Sequence, residues 1–169
     1  ADEDSVAQIL RGLVKRALAR VEIVFGEHRK YVIHDLIFAF AKGLLREQEG
    51  SLEDAYARWL HAAINYASKY QEDSPENHNA LDVELENLLG AAGWAAERGR
   101  HSDLNRLAHV LSDGSFLSRR GYNKQAVGLL HKAIVAAQAL GDRQSECTHL
   151  LNLGYSYALL SLYSDALAQ

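Results

Sequence analysis

Eight histidines, at positions 28, 34, 61, 78, 101, 109, 131 and 149, are the side chains here best suited to bind a metal or move a proton near neutral pH. The simplest helical metal site needs two histidines four residues apart, and no pair has that spacing. Cys147 and His149, two residues apart, point to nearly opposite sides of a helix and do not share a face. A single cysteine offers neither a thiolate cluster nor an internal disulfide. No metal site is therefore expected. Asp82 and Glu86 put two carboxylates on one helical face, as general acid–base catalysis requires, but nothing apolar or basic beside them would shift a pKa. A solvated acidic face is expected there. The chain has no G-x-x-x-x-G-K-[ST] run, so it has no phosphate loop of its own. No catalytic constellation emerges, and the chain by itself is not expected to be an enzyme.

The elements that hold these residues follow from periodicity. Val6, Ile9, Leu10, Leu13, Val14, Ala17 and Leu18 form one apolar helical stripe, with Arg11, Lys15, Arg16 and Arg20 on the other face. The period then changes. Val21–Phe25 and 30–33 read as two short strands around a turn at Gly26-Glu27-His28-Arg29. Asp35 is expected to cap the next helix, whose face is Leu36, Ile37, Phe40, Ala41, Leu44 and Leu45, ending by Gly50. Ser51 and Asp54 resemble a capping box opening a helix through Trp59, Leu60, Ala63 and Tyr70 to about Gln71. Residues 72–79, with the only proline, are expected to be a loop. Helices are predicted at about 80–98, 102–120, 123–140, 143–160 and from 164, with Gly99, Gly121 and Gly141 just past three of their ends.

The last helices repeat. Gly114, Leu117, Ala126, Leu130 and Ala133 have a spacing that recurs, forty residues on, at Gly154, Tyr157 and Ala166. Small residues at those positions let paired helices approach, as in a tetratricopeptide-like unit with a longer second helix. The expected fold is mainly α: a partial winged helix with a two-stranded β-hairpin over 1–50, a helical linker or first helix pair over 51–100, and a superhelical array of such repeats over 101–169. The last repeat reads as incomplete, and more repeats are expected to follow it. A concave groove would then carry Leu111, Ser115, Ser118 and Arg119, then Leu151, Asn152, Tyr155 and Leu159. Lys and Asn, which grip a carboxylate in one variant of such grooves, are replaced by Leu151 and Tyr155, so the occupant would be an amphipathic helix or a small effector. Those positions equally suit packing against a further repeat.

Composition narrows the class. The 169 residues are 48% apolar with one proline and a net charge of −4, which fits a folded, helical chain without a polyanion or nucleic-acid stripe. The acidic start and the absence of an 18-residue apolar run argue against export and membrane insertion, so a reducing cytoplasm is expected. The basic face of the first helix has the i, i+4 spacing of a DNA-recognition helix. It lacks the Asn, Gln and Ser that read base edges, so DNA binding is not expected of it.

Three stretches carry a resemblance to a known family. Ile33-His34-Asp35 follows the hairpin where the family has Met-His-Asp, a conservative change in volume. Arg58-Trp59-Leu60-His61-Ala62-Ala63 comes next, and Glu84-Leu85-Glu86-Asn87-Leu88 then runs to Trp94-Ala95. In this order and spacing, residues 31–140 resemble the bacterial NB-ARC regulators, members of the STAND group of signal-transduction ATPases. The resemblance implies that His34 donates a hydrogen bond to the β-phosphate of ADP in the resting state, with Asp35 fixing the turn that aims it. It also implies that ADP or ATP with Mg is held by an upstream nucleotide-binding domain in cis, this chain having no cofactor of its own, and that a protein or small-molecule effector binds the repeats. The chain would be the regulatory part of a transcriptional regulator. From the residues alone, two other readings stay open: a self-contained repeat adaptor that binds a peptide, and a winged-helix DNA-binding protein.

Overall fold

Apolar periodicity switches from helical to alternating near residue 19, and the backbone switches with it. The computed structural model describes residues 3–25, 28–47, 51–113 and 115–167. They fall into two compact units, Ala1–Tyr56 and Ala57–Gln169. Gly26, Glu27, Gly50 and Gly114, and the side chain of Ser51 with its expected capping box, lie outside the described residues.

In the first unit, helix α1 (Glu3–Lys15) is followed by strands β1 (Ala19–Phe25) and β2 (His28–Ile33) and helix α2 (Asp35–Arg46). α1 stops short of Ala17 and Leu18 because Ala17 turns left-handed, at φ 57°. The N–H of Ala17 bonds Val14 O (3.0 Å) and that of Leu18 bonds Leu13 O (2.9 Å). This overturns the four-base helical face: Arg20 lies in β1, opposite Val32, and only Arg11 and Lys15 remain within α1. The strands pair antiparallel, Ala19 opposite Ile33 and Val21 opposite Tyr31, and each begins two residues earlier than expected. α2 is amphipathic as predicted, yet it has no buried residue: Leu36 is 73% and Phe40 67% exposed.

The second unit continues α3 (Ser51–Lys69) and adds α4 (Pro75–Glu97), α5 (His101–Asp113), α6 (Phe116–Arg119), α7 (Asn123–Leu140), α8 (Arg143–Leu159) and α9 (Tyr163–Leu167). Two expectations fail at helix ends. Pro75 does not sit in a loop. It occupies the first turn of α4, where a missing N–H costs nothing, and Ser74 caps that turn by accepting from Asn77 N at 3.1 Å. The single helix expected over 102–120 is broken in two, since Ser115 has φ 59° and restarts the chain as α6. The glycine ends hold as read. Gly141, at φ 67°, closes α7 by bonding Ala137 O and Gln138 O, a conformation that strains any residue with a Cβ.

Only Gly141 and Asp142 separate α7 from α8, so the two helices fold back on each other as a pair. α5 packs on α7, α4 packs on both, and α8 meets α9. Leu107, Leu111, Phe116, Leu117, Leu130 and Leu153 are fully or almost fully buried in one continuous core that also takes in Leu60 and Ile64 of α3. Ala126, Leu130 and Ala133 are buried, as the repeat pattern requires. Burying each leucine stabilises the fold by about 1.5–3 kcal/mol, so the core and not helix propensity holds this unit together. Tyr66 ties α3 to α4 by donating to Ala80 O at 2.9 Å, and burial pushes its phenol up to about 12, keeping it a donor. Among the described residues no helix is long and apolar enough to cross a membrane.

Candidate functional site

His34 is the N-cap of α2. Its backbone is extended, and its Nδ1 accepts the N–H of Leu36 at 3.2 Å. This corrects the expected cap: the imidazole satisfies the helix start, while Asp35 is the first helical residue, placed to complement the helix dipole. The bond also sets the tautomer. With Nδ1 accepting, the neutral ring carries its hydrogen on Nε2. His34 is exposed and lines a cavity of about 360 Å3 together with Arg20, Ile33 and Asp35. Arg20 is paired with Glu22 at 2.8 Å but remains largely solvated. The site therefore offers one directed N–H donor and one guanidinium to an anion.

The expected groove divides into three parts. Leu111 is fully buried and belongs to the core, so it lines no groove. Ser115, Ser118 and Arg119 are committed to the α4 entry: Arg119 Nη2 lies 2.8 Å from Asp73, Arg119 Nε donates to Ser115 Oγ, and Ser118 Oγ donates to Ser115 O. Leu151, Asn152 and Tyr155 do come together, in a largely apolar cleft of about 720 Å3 that Ala158 and Ala166 help to line. Leu151 is 74% and Tyr155 58% exposed, and Leu159 also faces solvent. Asp82 is not part of a solvated acidic pair; it meets Arg120 Nε at 3.2 Å.

A polar cluster that sequence spacing did not reveal sits between α5 and α8. His109 Nδ1 is 2.6 Å from Asp113 Oδ2, and its Nε2 is 2.9 Å from Ser145 Oγ. Asp, His and Ser at these distances have the outline of a hydrolytic triad. The proton count argues otherwise. Ser145 Oγ donates to Asp142 Oδ2 at 2.6 Å, so Ser145 accepts from His109 and has no hydrogen to give it. The same two bonds from Ser145, through Oγ and N, hold the Asp142 carboxyl below its usual range. On the other side, His149 Nε2 lies 2.6 Å from Asn105 Oδ1, and the Asn105 amide donates to Asp142 Oδ2 at 3.4 Å. The two imidazoles face each other with ring centres 4.6 Å apart. His149 is wholly buried, and burial together with nearby His109 pushes it down to about 4.

A sequence signal for this cluster existed. His109 and His149 are forty residues apart, as are Asn105 and Ser145, which is the shift that relates Gly114 to Gly154. In a stacked-repeat fold, residues one period apart lie side by side, and a forty-residue shift is the spacing that relates these two pairs. No protein-family model, no curated protein and no solved structure matches the chain.

Proposed function

We propose that this chain is the regulatory part of a cytoplasmic signalling ATPase of the NB-ARC type. In this reading residues 1–50 belong to a winged helix and residues 101–169 to tetratricopeptide-like repeats. The supporting observation is the His34 tautomer: the cap bond to Leu36 N leaves Nε2–H as a fixed donor beside Arg20. That is what an imidazole needs in order to hold a phosphate oxygen. The nucleotide and its Mg belong to a nucleotide-binding domain in cis, against which the exposed apolar residues of α2 pack. The cleft at Leu151, Asn152 and Tyr155 takes the effector, an amphipathic helix or a small molecule. Effector binding biases the winged helix away from ADP only as far as its affinities for the two states differ.

The same exposed Leu151 and Tyr155 favour a second reading, a repeat adaptor that binds a peptide without any nucleotide switch. One purification separates the two. The native protein is isolated from its source, weighed intact, and its bound nucleotide released and identified by chromatography. The regulatory reading predicts a chain longer than 169 residues that carries ADP. A chain of this length without nucleotide overturns it and leaves the adaptor.

A further inference from the structure

Two features of the second unit lie outside that reading: the His109–His149 pair, of which His149 is buried, and the Asp73–Arg119 contact. The first carries an inference. His149 Nδ1 is buried and has no hydrogen-bond partner, although the ring is fully enclosed. An orphaned buried nitrogen costs about 1–3 kcal/mol and calls for a physical reason. Its tautomer is set from the far side. Asn105 turns its amide nitrogen toward Asp142 and its Oδ1 toward His149, so Nε2 carries the hydrogen and Nδ1 is a bare lone pair.

The other donors are close by. One ligand atom from each of His109, Asp113 and His149 lies within 4.8 Å of the others. We infer that His109 Nδ1, His149 Nδ1 and Asp113 form a binding site for a divalent transition metal of the zinc class, with a fourth position left to water. Two imidazoles and one carboxylate are the donor set that zinc accepts, whereas calcium and magnesium require oxygen.

The surroundings are those of a metal site. A ligating imidazole usually donates its second N–H to a fixed acceptor, and both rings do so here: His109 Nε2 to Ser145 Oγ, His149 Nε2 to Asn105 Oδ1. Both acceptors are anchored on the one carboxylate of Asp142. Asp113 is steadied too, since its Oδ1 accepts from Asn152 Nδ2 at 2.7 Å. A cavity of about 240 Å3 lined by Gln71, His109, Val110 and Asp113 gives the ion a way in and the water a place.

The change needed is small. In the metal-free site a proton bridges His109 Nδ1 and Asp113 Oδ2 at 2.6 Å. Tetrahedral coordination at bonds of about 2.0–2.2 Å places ligand atoms about 3.3–3.6 Å apart, so the ion takes the proton's place, that pair widens by roughly 1 Å, and ligand atoms that lie up to 4.8 Å apart draw in by a similar amount. One proton leaves to solvent for each ion bound. The metal would bridge α5 and α8, clamping two successive repeats.

The test is calorimetric titration of the 169-residue chain with Zn2+, repeated with Co2+ to read coordination from its visible absorption. The inference predicts one ion per chain, a four-coordinate cobalt spectrum, and a higher melting temperature with Zn2+. His109→Ala and Asp113→Ala, both at half-exposed side chains and checked for helicity by circular dichroism, should each weaken binding by at least about tenfold. Ser145→Ala, which removes the acceptor of His109 Nε2 together with its anchor on Asp142 but no ligand, should also weaken it about tenfold. His131→Ala, away from the cluster, should leave it unchanged. The absence of saturable one-to-one binding overturns the inference. So does binding that survives both ligand substitutions, or that falls equally with His131→Ala.

Discussion

Replacing Phe116 by alanine should lower the unfolding free energy of the second unit by about 3–5 kcal/mol, read from the urea midpoint at constant slope. Phe116 is 1% exposed and is the largest of the fully enclosed side chains. It is the first residue of the four-residue α6, a helix too short to persist alone, so its ring and Leu117 anchor the segment that links α5 to α7. The ring also packs on His78 of α4, centroids 5.6 Å apart, and on Tyr122, at 6.1 Å. Removing it opens a cavity where three chain segments meet, and close-packed neighbours refill such a cavity only partly. Phe116→Leu, which keeps much of the volume, should cost less than about 1.5 kcal/mol. Leu151→Ala, at a residue 74% exposed, should stay within about 0.5 kcal/mol. A loss below about 1 kcal/mol for Phe116→Ala would show that α6 is not where the core is tied together.

The second large effect is a loss of stability on mild acidification, without added metal. His149 is pushed down from 6.5 to about 4 in the folded chain, by burial first and by His109 second, with Asp113 and Asp142 opposing. A histidine whose folded value is depressed takes up its proton more readily when unfolded. Its neutral form therefore costs nothing above about 6.5, and stability falls as pH drops from there to about 4, where the folded form also protonates. The loss across that window should be on the order of 3 kcal/mol, at about 1.4 kcal/mol for each pH unit. Asp142 acts lower: its folded value is depressed, so its contribution is present above the ordinary carboxylate range and is lost below it. Chemical denaturation at a series of pH values should show both phases. In His149→Gln the upper phase should flatten while the lower one remains. A His149→Gln profile that falls as steeply between 6.5 and 4 would place the titrating group elsewhere.

The contrast between the two units explains what could be read from the chain. In the second unit, apolar spacing, the three glycine ends and the buried Ala126, Leu130 and Ala133 were legible because local signals agree with the packing they serve. Helix boundaries were less so. Pro75 is compatible with both a loop and a first helical turn, and only Ser74 one residue earlier decides between them. In the first unit, α2 was legible as a helix but its apolar face was not legible as exposed, because periodicity says which residues share a face and not what covers it.

Side-chain roles were hardest. Asp35 looked like the cap because aspartate commonly is one; His34 takes the position one residue earlier because its ring reaches the Leu36 N–H. Leu111 was assigned to the groove from its place in the repeat, but the side chain is turned into the core. The His109–His149 cluster contains no histidines four residues apart because its two rings stand on two helices, related by the forty-residue shift. A carboxylate at i+4 from His109 was the local half of the same signal.

The most direct test of the regulatory reading is the rate at which the intact native protein releases ADP, compared with a His34→Asn variant. Asparagine can still accept the Leu36 N–H and cap α2, so the helix start is kept, but it withdraws the distal Nε2–H. A hydrogen bond to a charged phosphate is worth about 1.5–3 kcal/mol, so release should accelerate at least about tenfold. Unchanged release from a folded His34→Asn protein would contradict the account, because His34 would then be a helix cap and nothing more.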